Sequence, residues 1–116
     1  MVTYTNFVKH CKNLIKRSWC KGFFAKTIDN KSVEPTDSLA HGFCLVGAAH
    51  RTNFEFGSNY IKKYRKDCES VINKGKKKYV HIEFYNDKGT TKKHHILKLL
   101  DKVIDFHRKE KNAKSK

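Results

Sequence analysis

Hydrophobic residues recur at intervals of three and four positions near the start of the chain. They are Phe7, Cys11, Leu14, Ile15 and Trp19. This period predicts an amphipathic helix from about Asn6 to Ser18. Residues 23–35 have no such period, and two short apolar runs there flank Asp29-Asn30, a pair that tolerates turn geometry. We expect a short hairpin or an irregular loop in this segment.

Two further helices are predicted in the middle of the chain. Thr36 can cap a helix just after Pro35, and the segment that follows is apolar on nearly all sides as far as His50. Residues 53–57 are expected to connect this central helix to the third helix, which Gly75 ends. The buried stripe of the third helix consists of Tyr60, Ile61, Tyr64, Cys68, Val71 and Ile72.

The last third of the chain changes its period twice. Residues 79–85 alternate between apolar and polar side chains, which predicts one short strand. Residues 86–89 are a turn signal, and Thr90 or Thr91 can cap a last helix. The apolar stripe of this helix comprises Ile96, Leu99, Leu100, Val103 and Ile104.

The whole pattern predicts a mainly α fold. We expect a compact four-helix domain with a short hairpin or loop after the first helix and one short strand-like segment before the last. A chain of 116 residues fills one hydrophobic core. Residues 1–108 should form this single helical domain, and residues 109–116 a basic, frayed tail. The candidate core residues are Phe7, Leu14, Trp19, Phe43, Val46, Tyr64, Ile72, Leu99 and Val103.

The four cysteines, Cys11, Cys20, Cys44 and Cys68, contain no C-x-x-C pair and match no zinc-finger spacing. We expect reduced thiols that pack as small hydrophobic side chains, and we expect no metal and no other cofactor. The first residues lack the apolar run of a signal peptide, and no long apolar segment follows. These observations predict a cytoplasmic protein without a membrane anchor, in the cytoplasm of the host cell if a phage encodes it.

Net charge is the bulk property that points most directly to a partner. The formal charge is +15, and 22 lysines stand against 4 arginines. Basic residues concentrate in three blocks, at residues 1–35, 58–78 and 92–116. Such a protein attracts anions at long range. Codon bias in an AT-rich genome would also produce a lysine-rich chain, so both explanations of the charge stay open.

Four local signatures follow one another along the chain. They are Trp19-Cys20-Lys21-Gly22, the segment from Ala25 to Pro35 with Val33, the run from Ala40 to Ala48, and Phe84-Tyr85-Asn86-Asp87 before the last helix. Their order and spacing resemble an uncharacterised family of small phage and bacterial proteins, a domain of unknown function with W-C-x-G, F/W-C-x-x-G-A and W/Y-N-D motifs. The resemblance spans about residues 7–106. It implies a folded domain, often phage-borne, and implies no activity.

The chain departs from the family pattern at three positions. Thr27 stands where the pattern often has Asp, which puts any function of that carboxylate in doubt. Asn30 replaces Gly, and Asn also tolerates a left-handed turn, while Tyr85 replaces Trp. We expect the matching motif residues to be structural, with Asn86 and Asp87 building the turn that launches the last helix. These motif residues are Trp19, Cys20, Gly22, Cys44, Gly47, Asn86 and Asp87.

The sequence contains no recognisable catalytic machinery. Cys44 follows His41 by about one helical turn, but we expect it in the middle of an apolar helix, where burial raises a thiol pKa and keeps the thiol inert. The histidines and cysteines match no known structural metal site. Asp101 and Asp105 are expected to face solvent among lysines. We therefore expect no catalytic residue and a non-enzymatic function.

The basic residues between positions 62 and 78 are the candidate nucleic-acid-binding site. They are Lys62, Lys63, Arg65, Lys66, Lys74, Lys76, Lys77 and Lys78. Lysine contacts phosphate as a point charge and reads no base edge, so binding would be largely sequence-independent. Tyr79 and Tyr85 can add stacking on single strands. The leading hypothesis is a basic, nucleic-acid-binding accessory protein.

A second hypothesis comes from a different class of function. A phage-type interaction protein could use the same positive surface to bind and modulate an acidic host protein, or to capture a small anionic nucleotide, in counter-defence. The expected partner is therefore nucleic acid or an acidic host protein, and the oligomeric state stays open.

Overall fold

A computed structural model describes the backbone of residues 2–114 and the side chains of residues 2–112. Within this part of the chain there are five helices and three strands of two residues each. In chain order they are α1 (Tyr4–Arg17), β1 (Ala25–Lys26), β2 (Ser32–Val33), β3 (Gly42–Phe43), α2 (Leu45–Phe56), α3 (Ile61–Ile72), α4 (Ile82–Asp87) and α5 (Lys93–Lys114). The predicted mainly helical class is confirmed.

Helix α1 starts where a side chain can satisfy its free backbone amides. The Thr3 hydroxyl accepts a hydrogen bond from the backbone N–H of Asn6 at 3.1 Å, as an N-cap residue does. The apolar stripe of α1, including Phe7 and Ile15, is buried against α2 and α5. The helix predicted here is therefore present, and it begins two residues earlier than expected.

The segment after α1 forms a hairpin, the first of the two predicted alternatives. Strand β1 lies between β2 and β3 in an antiparallel sheet, with Ala25 opposite both Val33 and Phe43. At the turn, Asn30 has a φ of 66°. A short polar side chain tolerates this left-handed conformation, which most residues avoid. The Lys26 ammonium also donates to the Asn30 side-chain oxygen at 2.8 Å.

Helix α2 begins later than the sequence predicts. It starts at Leu45 rather than just after Thr36, because residues 36–44 make turns and then pair with β1 as strand β3. The helix runs through most of residues 53–57, where a connection was expected, and ends at Gly57 with a φ of 64°. Tertiary pairing of β3 thus outweighs the capping signal at Thr36.

The predicted strand at residues 79–85 is wrong, because residues 82–87 form helix α4. Helical spacing buries Ile82 and Asn86, four residues apart, and leaves Phe84 63% exposed. The Glu69 carboxylate accepts the backbone N–H of Ile82 at 2.9 Å, which satisfies one of the free amides of the first turn. The short sheet lies elsewhere and offers this segment no strand partner, so the domain has a fifth helix instead of a strand.

Helix α5 packs against both α1 and α3 and completes the core. The buried side chains include eight of the nine candidate core residues; the exception, Trp19, is partly buried against the core. Helix α5 continues to Lys114, into the predicted basic tail, whose last two residues lie outside the described part of the chain. No helix in the described chain is long and apolar enough to cross a membrane.

Candidate functional site

The motif residues from distant parts of the sequence meet around one buried amide. The Asn86 side-chain oxygen accepts hydrogen bonds from the Trp19 indole N–H at 2.8 Å and from the backbone N–H of Leu45 at 3.1 Å. Its amide nitrogen donates to the backbone carbonyl of Cys20 at 3.1 Å. Asn86 therefore ties the segment after α1 to the start of α2 and the end of α4.

Asp87 extends this network at the surface. One carboxylate oxygen accepts the backbone N–H of Gly22 at 3.0 Å and the Asn86 amide at 2.9 Å. Gly22 has a φ of 77°, a backbone conformation that residues with a Cβ rarely adopt. The predicted role of Asn86 and Asp87 in launching the last helix is not what the structure shows, because both lie at the end of α4 and hold the Gly22 turn.

Cys44 is the N-cap residue of α2 and Gly47 lies in the first turn of this helix, so the predicted mid-helix position of Cys44 is wrong. The Cys44 sulfur accepts the backbone N–H of Gly47 at 3.3 Å and caps the helix. A Cβ on Gly47 would lie 1.7 Å from the carbonyl oxygen of Phe24, so only glycine lets the two backbones approach this closely. A cavity of about 180 Å³ between Phe24 and Asn86 is mainly lined by apolar atoms.

All four cysteines are buried, free thiols, as predicted. Burial raises the pKa of the Cys11 and Cys20 thiols to about 12 and raises the pKa of Cys44 and Cys68 as well. A thiol with a raised pKa is a poor nucleophile at neutral pH. In the described part of the chain, no group of three His, Cys, Asp or Glu side chains is arranged to hold a metal ion.

The predicted nucleic-acid-binding residues divide into two groups. Lys63 and Arg65 form ion pairs: the Lys63 ammonium lies 3.2 Å from both Asp67 and Glu110, and Arg65 lies 2.8 Å from Glu83. Lys63 also lies 4.9 Å from the centre of the Tyr4 ring. These two cations hold α3 against neighbouring elements and are not available to an external phosphate.

The other six predicted lysines are exposed and form no ion pair with another described residue. Lys62 and Lys66 lie one turn apart on the same face of α3, and Lys74 follows the end of this helix. Lys76, Lys77 and Lys78 belong to the loop between α3 and α4. These six lysines form a positive surface along α3 and the loop that follows it.

Part of this surface is the edge of a depression that the sequence did not predict. Three adjoining hollows, of about 180, 320 and 670 Å³, lie between α5 on one side and α3, the following loop and α4 on the other. The first two share Lys76, Tyr85 and His95, and the last two share Val71 and Lys102. We call the three together the basic groove. Its lysines are Lys74, Lys76, Lys88, Lys98, Lys102 and Lys109.

The electrostatics of the basic groove are one-sided. Asp105 is the single carboxylate among its lining residues, and none of the six lysines is in an ion pair with another described residue. Desolvation lowers the pKa of the His95 imidazole, and nearby cations, Lys98 among them, lower it further. The positive charge of the groove is therefore not neutralised within the domain.

Aromatic rings lie among these lysines. Phe84 is 63% exposed and Phe106 is 38% exposed, and Tyr85 is partly buried between the first two hollows. None of the three rings stacks on another described aromatic ring. Tyr79, the other tyrosine expected to stack on bases, does not line the groove, and its hydroxyl donates to Glu69.

Sequence reasoning missed the contribution of α5. Lys98, Lys102 and Lys109 lie on this helix four and seven positions apart, which is the spacing of one helical face. That spacing was a usable signal, but it does not show that the face borders the end of α3. Lys74 and Lys76 are the two predicted residues that line the groove.

Comparisons with known proteins found no relative of this chain. No protein-family model matches the chain, and no match was found among curated proteins or among solved structures. The resemblance to the phage and bacterial family stays a prediction.

Proposed function

We propose that the protein is a non-enzymatic nucleic-acid-binding accessory protein whose basic groove holds a phosphate backbone. The observation that carries the proposal is the groove itself, in which six lysines without ion pairs face one carboxylate. Lysines in this arrangement can exchange their counter-ions for phosphates, which is the main source of non-specific affinity for nucleic acid.

We do not expect the groove to recognise a particular base sequence. Guanine is most often read by a bidentate arginine. Arg17 donates to the backbone of His41, while Arg51 and Arg65 are paired with glutamates. The groove lining contains no arginine. Phosphate contacts by lysine support binding that is largely independent of sequence.

A double substitution in the groove tests the proposal. Lys98→Gln/Lys102→Gln removes two cations from the centre of the groove, and Lys9→Gln/Lys16→Gln removes the same charge from exposed positions on α1. Fluorescence anisotropy would measure the affinity of each protein for labelled 20-nucleotide DNA, single-stranded and duplex, at several salt concentrations. Both variants should keep the melting temperature of the parent protein, because exposed substitutions shift stability by about 0.5 kcal/mol or less.

The expected result is a change in salt dependence confined to the groove variant. Log K should fall linearly with log salt for the parent, and the slope should flatten by about 0.7 per lost contact on a single strand or about 0.9 on a duplex. The α1 variant should keep the slope of the parent. Equal slopes for both variants, or no binding of either DNA at low salt, would refute the proposal.

A second candidate function is supported by a different surface. Ile28 is 80% exposed, Leu39 is 69% exposed and Phe24 is 55% exposed, in or near the hairpin. Exposed apolar side chains of this kind are common at sites of protein contact. Binding to a protein partner is therefore the alternative, and a pull-down from host lysate with Ile28→Ser/Leu39→Ser as the control tests it. Capture of the same host protein by parent and variant would contradict a role for this surface.

A further inference from the structure

We propose that the basic groove takes single-stranded nucleic acid in preference to a duplex, with a footprint of about six to eight nucleotides. This inference rests on the proposed function and names the substrate class of the same site. It follows from two features that a surface of lysines alone would not have. These features are exposed aromatic rings inside the groove and the short length of the groove.

The aromatic rings favour bases that are free to stack. Phe84 lies in the hollow at one end, Tyr85 lies between the first two hollows, and Phe106 lies in the hollow at the other end. Proteins that bind single strands combine a positive groove with rings on which successive bases stack. A duplex keeps its bases paired inside and presents sugar and phosphate to such rings, so the rings would gain little from it.

The spacing of the lysines fits a backbone that follows α5. Lys98 and Lys102 lie one turn apart in the middle of the groove, and Lys109 lies two turns further along the helix. Lys76 faces the same hollow as Lys98 and Lys102 from the loop after α3. Cations from both sides of the groove can therefore contact one strand while its bases reach the rings.

The length of the groove limits the footprint. His95 and Lys109 are 14 positions apart on α5, which corresponds to about 21 Å at a helical rise of about 1.5 Å per residue. At about 3.4 Å per nucleotide of a stacked strand, this distance covers about six nucleotides. The hollow that contains Lys88 extends the groove beyond His95 and adds one or two nucleotides.

The test measures what the aromatic rings contribute to binding while every lysine of the groove is kept. Phe84→Leu/Phe106→Leu removes two exposed rings and keeps apolar side chains, and Phe54→Leu removes a ring that is equally exposed, at 63%, on α2 outside the groove. Anisotropy titrations of the parent and both variants would use oligothymidylates of 4 to about 20 nucleotides, octauridylate, and a 20-base-pair DNA duplex, all at one salt concentration.

We expect the parent protein to bind the 20-nucleotide strand at least about ten-fold more tightly than the duplex. The affinity of the parent for single strands should level off at a length of about eight nucleotides. The groove variant should lose at least about five-fold in affinity for the single strand per ring removed, with an unchanged salt slope and unchanged duplex affinity. Phe54→Leu should bind as the parent does. Octauridylate shows whether the single strand can be RNA, because the stacking does not depend on the sugar.

Three outcomes would overturn the inference while nucleic-acid binding stands. They are equal affinity for the duplex and the single strand, an equal loss in the groove variant and in Phe54→Leu, and affinity that continues to rise steeply beyond about eight nucleotides. Failure of the parent protein to bind any of these nucleic acids at low salt is a different result, because it refutes the proposed function itself.

Discussion

Replacing Asn86 with alanine should destabilise the domain strongly, because one side chain serves three separate segments. The substitution removes the acceptor for the Trp19 indole and for the backbone N–H of Leu45, and the donor to the backbone carbonyl of Cys20. Asn86 is 1% exposed, so water does not replace these partners unless the surrounding structure opens.

The loss of stability in Asn86→Ala depends on which hydrogen-bond partners stay buried. Leu45 is fully buried and Cys20 is 5% exposed. Leaving each of their two backbone groups without a hydrogen-bond partner should therefore cost about 1–3 kcal/mol of folding free energy. The partly exposed Trp19 indole can turn to solvent and should add little. The expected loss is about 2–6 kcal/mol, a large part of a total stability of about 5–15 kcal/mol. At about 4 °C per kcal/mol, the melting temperature should fall by about 8–24 °C.

Thermal and urea unfolding followed by circular dichroism would measure this loss. Asn13→Ala is the matched control, because Asn13 is exposed on α1 and its side chain forms no hydrogen bond with another described residue. A second variant, Asn86→Asp, keeps the acceptor oxygen and places a carboxylate beside Asp87. Burial and that neighbour should raise the pKa of the new carboxyl, so the variant should regain stability as the pH falls through the raised pKa.

If the Asn86 network supports the fold, Asn86→Ala must be less stable than the Asn13→Ala control. A melting temperature for Asn86→Ala within about 2 °C of that for Asn13→Ala would refute it, because a buried amide with satisfied partners cannot be neutral when it is removed. An Asn86→Asp variant whose stability does not change between pH 7 and pH 4 would show that the amide is not buried beside Asp87.

Three further predictions follow from the geometry. Gly47→Ala should lower the melting temperature by several degrees, because a Cβ would lie 1.7 Å from the Phe24 carbonyl oxygen, and a melting temperature equal to that of the parent would contradict this approach. The four buried thiols should react with a disulfide reagent far more slowly in the folded protein than in urea, and rapid labelling of the folded protein would place a thiol at the surface. The Arg65 guanidinium holds the pKa of the Glu83 carboxyl below its ordinary value of 4.5. This pair therefore stabilises the fold above that value and loses its effect as the pH falls through the lowered pKa. By urea midpoint, Glu83→Gln should be less stable than the parent at pH 7, and this deficit should shrink as the pH falls below 4.5. A deficit that stays the same would contradict the ion pair.

Local features of the sequence were sufficient to predict the helices with a clear amphipathic period. Helix α1 and helix α5 both follow stripes of apolar residues that a helix brings onto one face, such as Phe7 with Cys11 and Leu99 with Val103. The hairpin was one of two stated alternatives, and it forms around Asn30 because that residue accepts a positive φ. These outcomes depend on contacts within a few positions along the chain.

Tertiary contacts decided the elements whose local signals conflicted. Thr36 resembles a helix cap, but Gly42 and Phe43 pair with β1 as strand β3. Helix α2 therefore starts only at Leu45. The alternation at residues 79–85 predicts a strand, but no sheet edge lies there and Glu69 caps a helix instead. Periodicity reports which residues are apolar and cannot report which partner is within reach.

The candidate site shows the same division. Composition and the basic block at residues 62–78 pointed to a positive surface from the sequence alone, and Lys74 and Lys76 lie on it. The sequence could not show that Lys63 is also held by Glu110 of α5, or that Asp67, its partner one helical turn away, accepts a hydrogen bond from Tyr4. It also could not show that α5 runs beside the end of α3 and brings three more lysines to the same groove. Charge is a property of single residues and can be counted along a chain, whereas a groove exists only where separate helices pack side by side.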